Sequence, residues 1–184
     1  VACPIAAASI VATASSWNSD EEGPDSTIDG SGLDPNDLHS TDNPDMWLSS
    51  PVGPMPIWIQ YEFDKAHKLY EMWVWNHNAL SEAGIGFGIR DAVIEYSADG
   101  LEWVTLGTTH EFTRAPGVAG YAHDTVIGFG GAVAKYVRIT VNSNWSTLGV
   151  PNAGLSEVRF FSVPVFAREP EPAPGTASVD VGDA

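Results

Sequence analysis

Apolar and polar residues alternate along this chain in short runs, divided by Gly, Pro, Asn and Asp, and no run keeps a helical period for four turns. The clearest unit is Arg90 to Gly107. Ala92, Ile94 and Tyr96 fall on one face of an extended strand, with Val93, Glu95 and Ser97 on the other. Asp99-Gly100 then supplies a turn, and the chain returns through Trp103, Val104, Thr105 and Leu106, which reads as a β-hairpin. Ile57, Ile59, Tyr61 and Phe63 alternate with Trp58, Gln60 and Glu62 in the same way. Leu69 to Asn76 is apolar on both faces apart from Glu71, the pattern of a strand covered on two sides. His123 to Phe129, Lys135 to Val141 and Gly154 to Phe161 complete the set, with Ile10 to Ser16 as an edge strand. Short strands joined by turns predict an all-β sandwich or jelly roll. Trp47, Trp58, Trp73, Trp75 and Trp103 lie on or beside these strands and are expected in its core.

Two regions lack the pattern. Ser26 to Ser50 is almost aperiodic and holds Asp29, Asp34, Asp37, Asp42 and Asp45. A structureless loop of this length inside a compact domain is usually functional or tied down. Oxygens so crowded repel unless water or a cation separates them, so a cation-binding loop and a solvated acidic loop both stand as readings. Beyond Pro164 the chain turns Pro-rich, the composition of an extended linker, and its last residues read as the possible first strand of a following domain. The domains are therefore expected as an N-terminal tail over 1–7, a β-sandwich over 8–163 and a linker over 164–184.

The 184 residues suffice for one domain with a real core, 43% of them being hydrophobic. Lys and Arg total 8 against 24 Asp and Glu, a formal charge of −16. Nucleic acid and anionic membranes, which need a basic footprint, are poor partners; a neutral ligand or a cation suits the charge better. Cys3 is the single cysteine, so no internal disulfide forms, and no Lys or Arg lies nearby in sequence to activate its thiol. No apolar run has the length of a transmembrane helix, and the N-terminal segment lacks a basic start and carries Pro4, so it does not read as a signal peptide. No Gly-x-Ser-x-Gly elbow, His-x-His or Cys-based zinc spacing occurs, and Gly86-Phe-Gly-Ile is not followed by the helix of a dinucleotide site. No catalytic residue is assigned, although sequence alone cannot measure the separation of a glycosidase-like carboxylate pair.

Six stretches together resemble the discoidin family, also called the coagulation factor 5/8 type C domain, which overlaps with galactose-binding-like carbohydrate modules. They are Thr27-Ile-Asp-Gly30, Met46-Trp-Leu-Ser49, Ile57 to Phe63, Val93 to Gly100 with Trp103, Lys135 to Val141, and Gly154 to Phe161. The resemblance implies an eight-stranded antiparallel jelly-roll sandwich whose loops at one end bind ligands. It implies a structural calcium ion under the first long loop, held by Asp29, Ser31, Asp45, Glu157 and a main-chain carbonyl near Ser26. The chain is longer than the family pattern between Ser31 and Asp45, so Asp34 or Asp42 are alternative ligands. Calcium takes six to eight oxygen ligands of these kinds.

For sugar, the resemblance points to Asn76, His77, Asn78 and Arg90 around a Gly-rich loop, to Asn144 and Trp145, and to His39, with Phe87 or Tyr121 as a second aromatic platform. Directional donors beside an aromatic ring suit a pyranose, which has hydroxyls at its edge and an apolar face. Each residue has a structural alternative: Arg90 paired with Asp91, His77 as a core or capping residue, Trp145 tucked under a loop, His39 as a loop buttress. The function implied is a non-catalytic carbohydrate-binding module tethering a larger secreted or cell-surface bacterial protein to glycan, with the other domains of that polypeptide as neighbours. The alternative is an adhesion module that recognises a protein surface through the same loops, a lipid surface being disfavoured by their acidity.

Overall fold

A computed structural model of the chain describes residues 1–164, so the expected linker lies, apart from Pro164, outside the described residues. The strands are β1 (Cys3–Pro4), β2 (Ile10–Ala14), β3 (Trp47–Leu48), β4 (Trp58–Asn76), β5 (Ile89–Ser97), β6 (Val104–Glu111), β7 (Thr125–Gly128), β8 (Val133–Asn144) and β9 (Gly154–Ser162). One helical turn, α1 (Glu82–Ile85), interrupts the loop between β4 and β5. All pairings between these strands are antiparallel, and together they make the all-β sandwich the alternation predicts.

One layer runs β2-β4-β8-β5-β6. In the other, β9 is paired to β4 on one side and to the short β1 and β3, while β7 borders β4. Strand β4 serves both layers. The segment from Trp58 to Lys68 pairs with β8, and that from Leu69 to Asn76 pairs with β9, with the register irregular between Glu62 and His67. The alternation fails at Asp64-Lys65-Ala66, all exposed, which is why the sequence reads as two strands where the backbone makes one. The inward side chains of both halves interleave: Tyr61 and Phe63 meet the Phe160 ring edge-on at centroid distances of 5.2 and 5.1 Å. Ile59, Leu69, Met72, Val74, Ile94, Val137, Ile139 and Leu155 fill the space around them with no exposed surface. Burial of such side chains, about 1.5–3 kcal/mol each, is the main force holding the layers together.

Three expectations change. Residues 1–7 are not a free tail: β1 pairs with β9, the Ile5 amide donates to the Phe160 carbonyl at 2.8 Å, and Ile5 is buried. The tryptophans divide, since only Trp47 and Trp75 are buried, whereas Trp58, Trp73 and Trp103 are half-buried on outer faces. Trp58 and Trp103 flank Arg138 at 5.3 and 4.5 Å, and Trp73 stacks on His123 at 4.1 Å with planes 9° apart. The hairpin forms as predicted, with Gly100 at φ 80° and the Ser97 hydroxyl accepting its amide at 2.8 Å. Its second strand, however, runs on to Glu111.

Strands β4 and β8 end, and β5 and β9 begin, at the same end of the sandwich, where Ile89 lies opposite Asn144 and Asn76 opposite Leu155. The loop from β4 to β5, the loop from β8 to β9, and the long segments before β3 and β7 therefore gather there.

Candidate ligand-binding site

Asn76-His77-Asn78 forms the floor of this end, not its surface. All three are buried. The Asn76 amide donates to the carbonyls of Ile89 at 2.7 Å and Thr113 at 2.8 Å, and its Oδ1 accepts the amides of His77 and Ile89, both at 2.9 Å. Asn78 donates to the carbonyls of Ser40 at 2.9 Å and Val118 at 2.8 Å and accepts the Gly117 amide at 2.9 Å. Both side chains are thus spent on backbone of the loops and of the start of β5, where an unpaired polar group would cost about 1–3 kcal/mol. Neither has a group left for a ligand, which corrects the sugar-contact reading of these residues.

His77 is held by a residue the sequence does not single out. Its Nδ1 faces Glu82 Oε2 at 3.3 Å, and fully buried Glu82 also accepts the amides of Phe87 at 2.9 Å and Gly88 at 3.1 Å. Arg114 closes the group: its guanidinium donates to the Glu82 carbonyl at 2.6 Å and approaches Glu82 Oε1 at 3.8 Å. A lone Glu within a Gly-rich loop has no pattern to mark it, because its partners come from residues 77 and 114, joined only by the fold. Phe87 is half-buried with its ring edge-on to His77 at 5.7 Å.

His39 is a buttress as well. It is buried, and its backbone bridges Leu33 and Tyr121. Its ring donates from Nδ1 to the Ser40 carbonyl at 3.0 Å, leaving Nε2 buried without a partner, and burial pushes the imidazole below its ordinary pKa. Tyr121 is buried rather than a platform. Its hydroxyl accepts the Asn76 amide at 3.2 Å and donates to Asp124 at 2.8 Å.

Arg90 and Trp145 remain at the rim. Arg90 is the second residue of β5, its side chain 49% exposed, and its guanidinium lies over the Trp145 ring, 5.0 Å from the centroid. Trp145 is pinned beneath: its indole N–H donates to the Phe112 carbonyl at 3.0 Å and its amide to the Gly88 carbonyl at 3.0 Å. Gly86, at φ 83°, passes so close that a Cβ there would lie 2.6 Å from the Trp145 carbonyl carbon. Asn144 braces the next loop, donating to the carbonyls of Val150 at 2.9 Å and Asn152 at 2.8 Å. Asp91 approaches Arg90 only to 3.7 Å and accepts the Ser143 hydroxyl at 2.6 Å.

Beside Arg90 opens a cleft of about 390 Å³ between the end of β8 and the loop before β4, with Met55, Asn142, Ser146, Val150 and Pro151 among its walls. It joins apolar surface to a few polar groups, the usual composition of a small-molecule site. The run Asn142-Ser-Asn at the end of β8 is the sequence signal for this wall. The contribution of Met55 and Pro151 has none, because each comes from a loop placed only by tertiary packing.

The acidic loop is organised mostly by itself. Asp34 Oδ1 accepts the amides of Asn36 and Leu38, Asp45 accepts the Ser40 hydroxyl at 2.6 Å, and Asp37 makes a two-point pair with Arg159 at 2.8 Å. That pair keeps the Asp37 carboxyl below its ordinary range. Buried Thr27 anchors the start of the loop, its hydroxyl 3.0 Å from that of Tyr61, so that Ile28 enters the core and Asp29 emerges. Asp29 and Glu157 then line one narrow cleft of about 160 Å³. Glu157 is buried with the Gly30 amide at 3.3 Å, and burial, reinforced by the charge of Asp29, pushes its carboxyl up to about 8.

The donor chemistry here is of the hard-cation kind, two carboxylates lining one cleft, although Arg159 lines the same cleft and its charge acts on Glu157. The wider ligand set does not assemble around them. No three His, Cys, Asp or Glu side chains among the described residues form a metal-sized group. The Ser26 hydroxyl donates to the Pro44 carbonyl at 3.0 Å, and the Ser31 amide to Asp29 Oδ1 at 2.8 Å.

The family model of the F5/8 type C domain matches residues 11–152. No curated protein sequence matches the chain. Among solved structures, it is similar to the family 32 carbohydrate-binding module of Clostridium perfringens NanJ in complex with galactose, at 15% identity and a TM-score of 0.65, over 88% of this chain and 100% of that one. A second C. perfringens module of this family, solved with GalNAc-β-1,3-galactose, matches at 16% identity and a TM-score of 0.65, over 87% and 100% of the two chains. An F5/8 type C domain from Bacteroides fragilis matches at 17% identity and a TM-score of 0.64, over 89% and 98%.

Proposed function

The chain belongs to the F5/8 type C domain family, and from that premise we propose that it is a non-catalytic carbohydrate-binding module, serving to hold a larger extracellular protein on glycan. The observation that carries this reading is the cleft beside Arg90, where an exposed guanidinium fixed on Trp145 borders neutral polar groups and apolar wall. Arg90 offers N–H donors to ring hydroxyls, Asn142 and Ser146 add neutral hydrogen-bonding groups, and Val150 and Pro151 cover the apolar face of a pyranose. Binding is favoured further because the parts are ordered beforehand. Arg90 stands on a strand, and the Asn76, Asn78 and Glu82 networks hold the surrounding loops, so little side-chain entropy is lost on contact. The similarity to modules solved with galactose-containing ligands supports the same ligand class.

A structural calcium ion belongs to this proposal. Asp29 and Glu157 would hold it, with a main-chain carbonyl near Ser26. Bound there, the ion would neutralise the buried Glu157 carboxylate and tie β9 to the start of the long loop.

Glycan-array or affinity-gel binding tests the reading. The wild-type chain is expected to retain a set of galactose-containing glycans, and a folded Arg90→Ala variant to lose them. Undiminished retention by that variant would remove the site from the cleft, and a silent array would remove the function.

A further inference from the structure

Resting on the reading of the Arg90 cleft as the glycan site, we infer that its ligand carries an anionic substituent, a uronate carboxylate or a sulfate ester, that Arg90 receives. The chain has 24 acidic and 8 basic residues, yet among the described residues lining this cleft there is no carboxylate and one cation, Arg90. In so acidic a chain, a wall without an acid leaves room for a ligand's negative charge.

Among the described residues the guanidinium also donates no hydrogen bond. Arg138 spends two N–H groups on Gln60 Oε1, and Arg159 spends two on Asp37. Arg114 is used on the Glu82 and Ala83 carbonyls. For Arg90 the nearest acid is Asp91, and the separation of 3.7 Å from Nε to Oδ2 is too long for a hydrogen bond, with the same oxygen taken by Ser143 at 2.6 Å. The guanidinium rests over the Trp145 ring, 5.0 Å from its centroid, and donates no side-chain hydrogen bond among the described residues. A planar fork held in this way matches the two oxygens of a carboxylate or a sulfate far better than it matches a single hydroxyl.

The overall charge of −16 does not prevent this. At physiological salt the field of distant carboxylates decays over about 8 Å, so the contact group decides the local preference. The neutral partners beside it, Asn142 and the Ser146 hydroxyl, add no charge against an anion, and the nearby acid, Asp91, approaches the guanidinium at Nε and does not line the cleft.

Calorimetry on the intact chain tests the inference with three probes of equal length: a galacturonic acid trimer, the neutral galactose trimer, and the galactose trimer carrying 6-sulfates. An acidic trimer is expected to bind at least about tenfold more tightly than the neutral one. The preference should vanish in Arg90→Gln and persist in part in Arg90→Lys, with melting temperatures unchanged. The tighter of the two acidic probes identifies the substituent. Equal affinity for neutral and acidic trimers, both lowered alike by Arg90→Gln, would overturn the anionic inference and leave glycan binding at this cleft intact. A preference surviving in Arg90→Gln would overturn the role of Arg90. Binding of none of the probes, together with a silent array, would overturn both.

Discussion

The Arg90 guanidinium lies 5.0 Å from the centre of the Trp145 ring, and Trp145 is itself fixed through its indole N–H to the Phe112 carbonyl at 3.0 Å. On the proposed function the two residues have different jobs, Arg90 meeting the ligand and Trp145 bracing Arg90 from beneath. Arg90→Ala is expected to abolish binding while changing stability by less than about 1 kcal/mol, because an exposed stacked cation contributes little to folding. Trp145→Ala should weaken binding and also cost about 2 kcal/mol, since it removes packing and a hydrogen bond that joins two loops. Trp145→Phe keeps the ring for Arg90 and loses only the N–H contact. Urea midpoints measured beside glycan affinity separate the three.

Glu82 should matter more than any rim residue for stability. It is fully buried and accepts the Phe87 and Gly88 amides while facing His77 and Arg114. Glu82→Ala leaves two amides short of an acceptor and removes the carboxylate facing His77 and Arg114, whose guanidinium keeps its main-chain carbonyls, and a loss of about 3–5 kcal/mol in urea unfolding is expected. Glu82→Gln keeps one acceptor oxygen and should cost less. Glycan binding should fall in both variants through disorder of the loop beneath Trp145.

Calcium and pH converge on Glu157. Added calcium at about a hundred times its Kd should stabilise the fold by about 2.7 kcal/mol, raising the melting temperature by about 5–10 °C, and chelator should reverse it. In Glu157→Gln the response should largely disappear. Without calcium the carboxyl has a folded pKa raised from about 4.5 to about 8, so its contribution to stability is complete below about 4.5 and is lost as pH rises through about 8. In chelator, therefore, Glu157→Gln should gain stability over wild type at pH 8.5 compared with pH 5. A gap that does not change between the two pH values would show that Glu157 is not the titrating group.

The layers of this sandwich were legible because period-two alternation has a direct physical meaning: Ile59, Tyr61, Phe63, Ile94, Val137 and Ile139 can leave water together only if each strand turns that face inward. Arg90 could be placed at the end of the sandwich where the loops gather for the same reason, since it lies at the start of a strand that the pattern defines. The roles of Asn76, His77, Asn78 and His39 were not legible. A polar side chain at a strand end has the same letter whether it meets a ligand or caps its own backbone, and only folding brings Ile89 and Thr113 to Asn76, Ser40, Gly117 and Val118 to Asn78, Glu82 to His77, and the Tyr121 backbone to that of His39. The acidic loop divides in the same way. Its composition determined that charge had to be managed, while tertiary structure sent Asp37 to Arg159, Asp45 to Ser40, and Asp29 to the cleft with Glu157. Which faces are buried follows from local periodicity alone. The fold alone decided which polar groups remain free, because hydrogen-bond partners here lie tens of residues apart and meet only when the layers close.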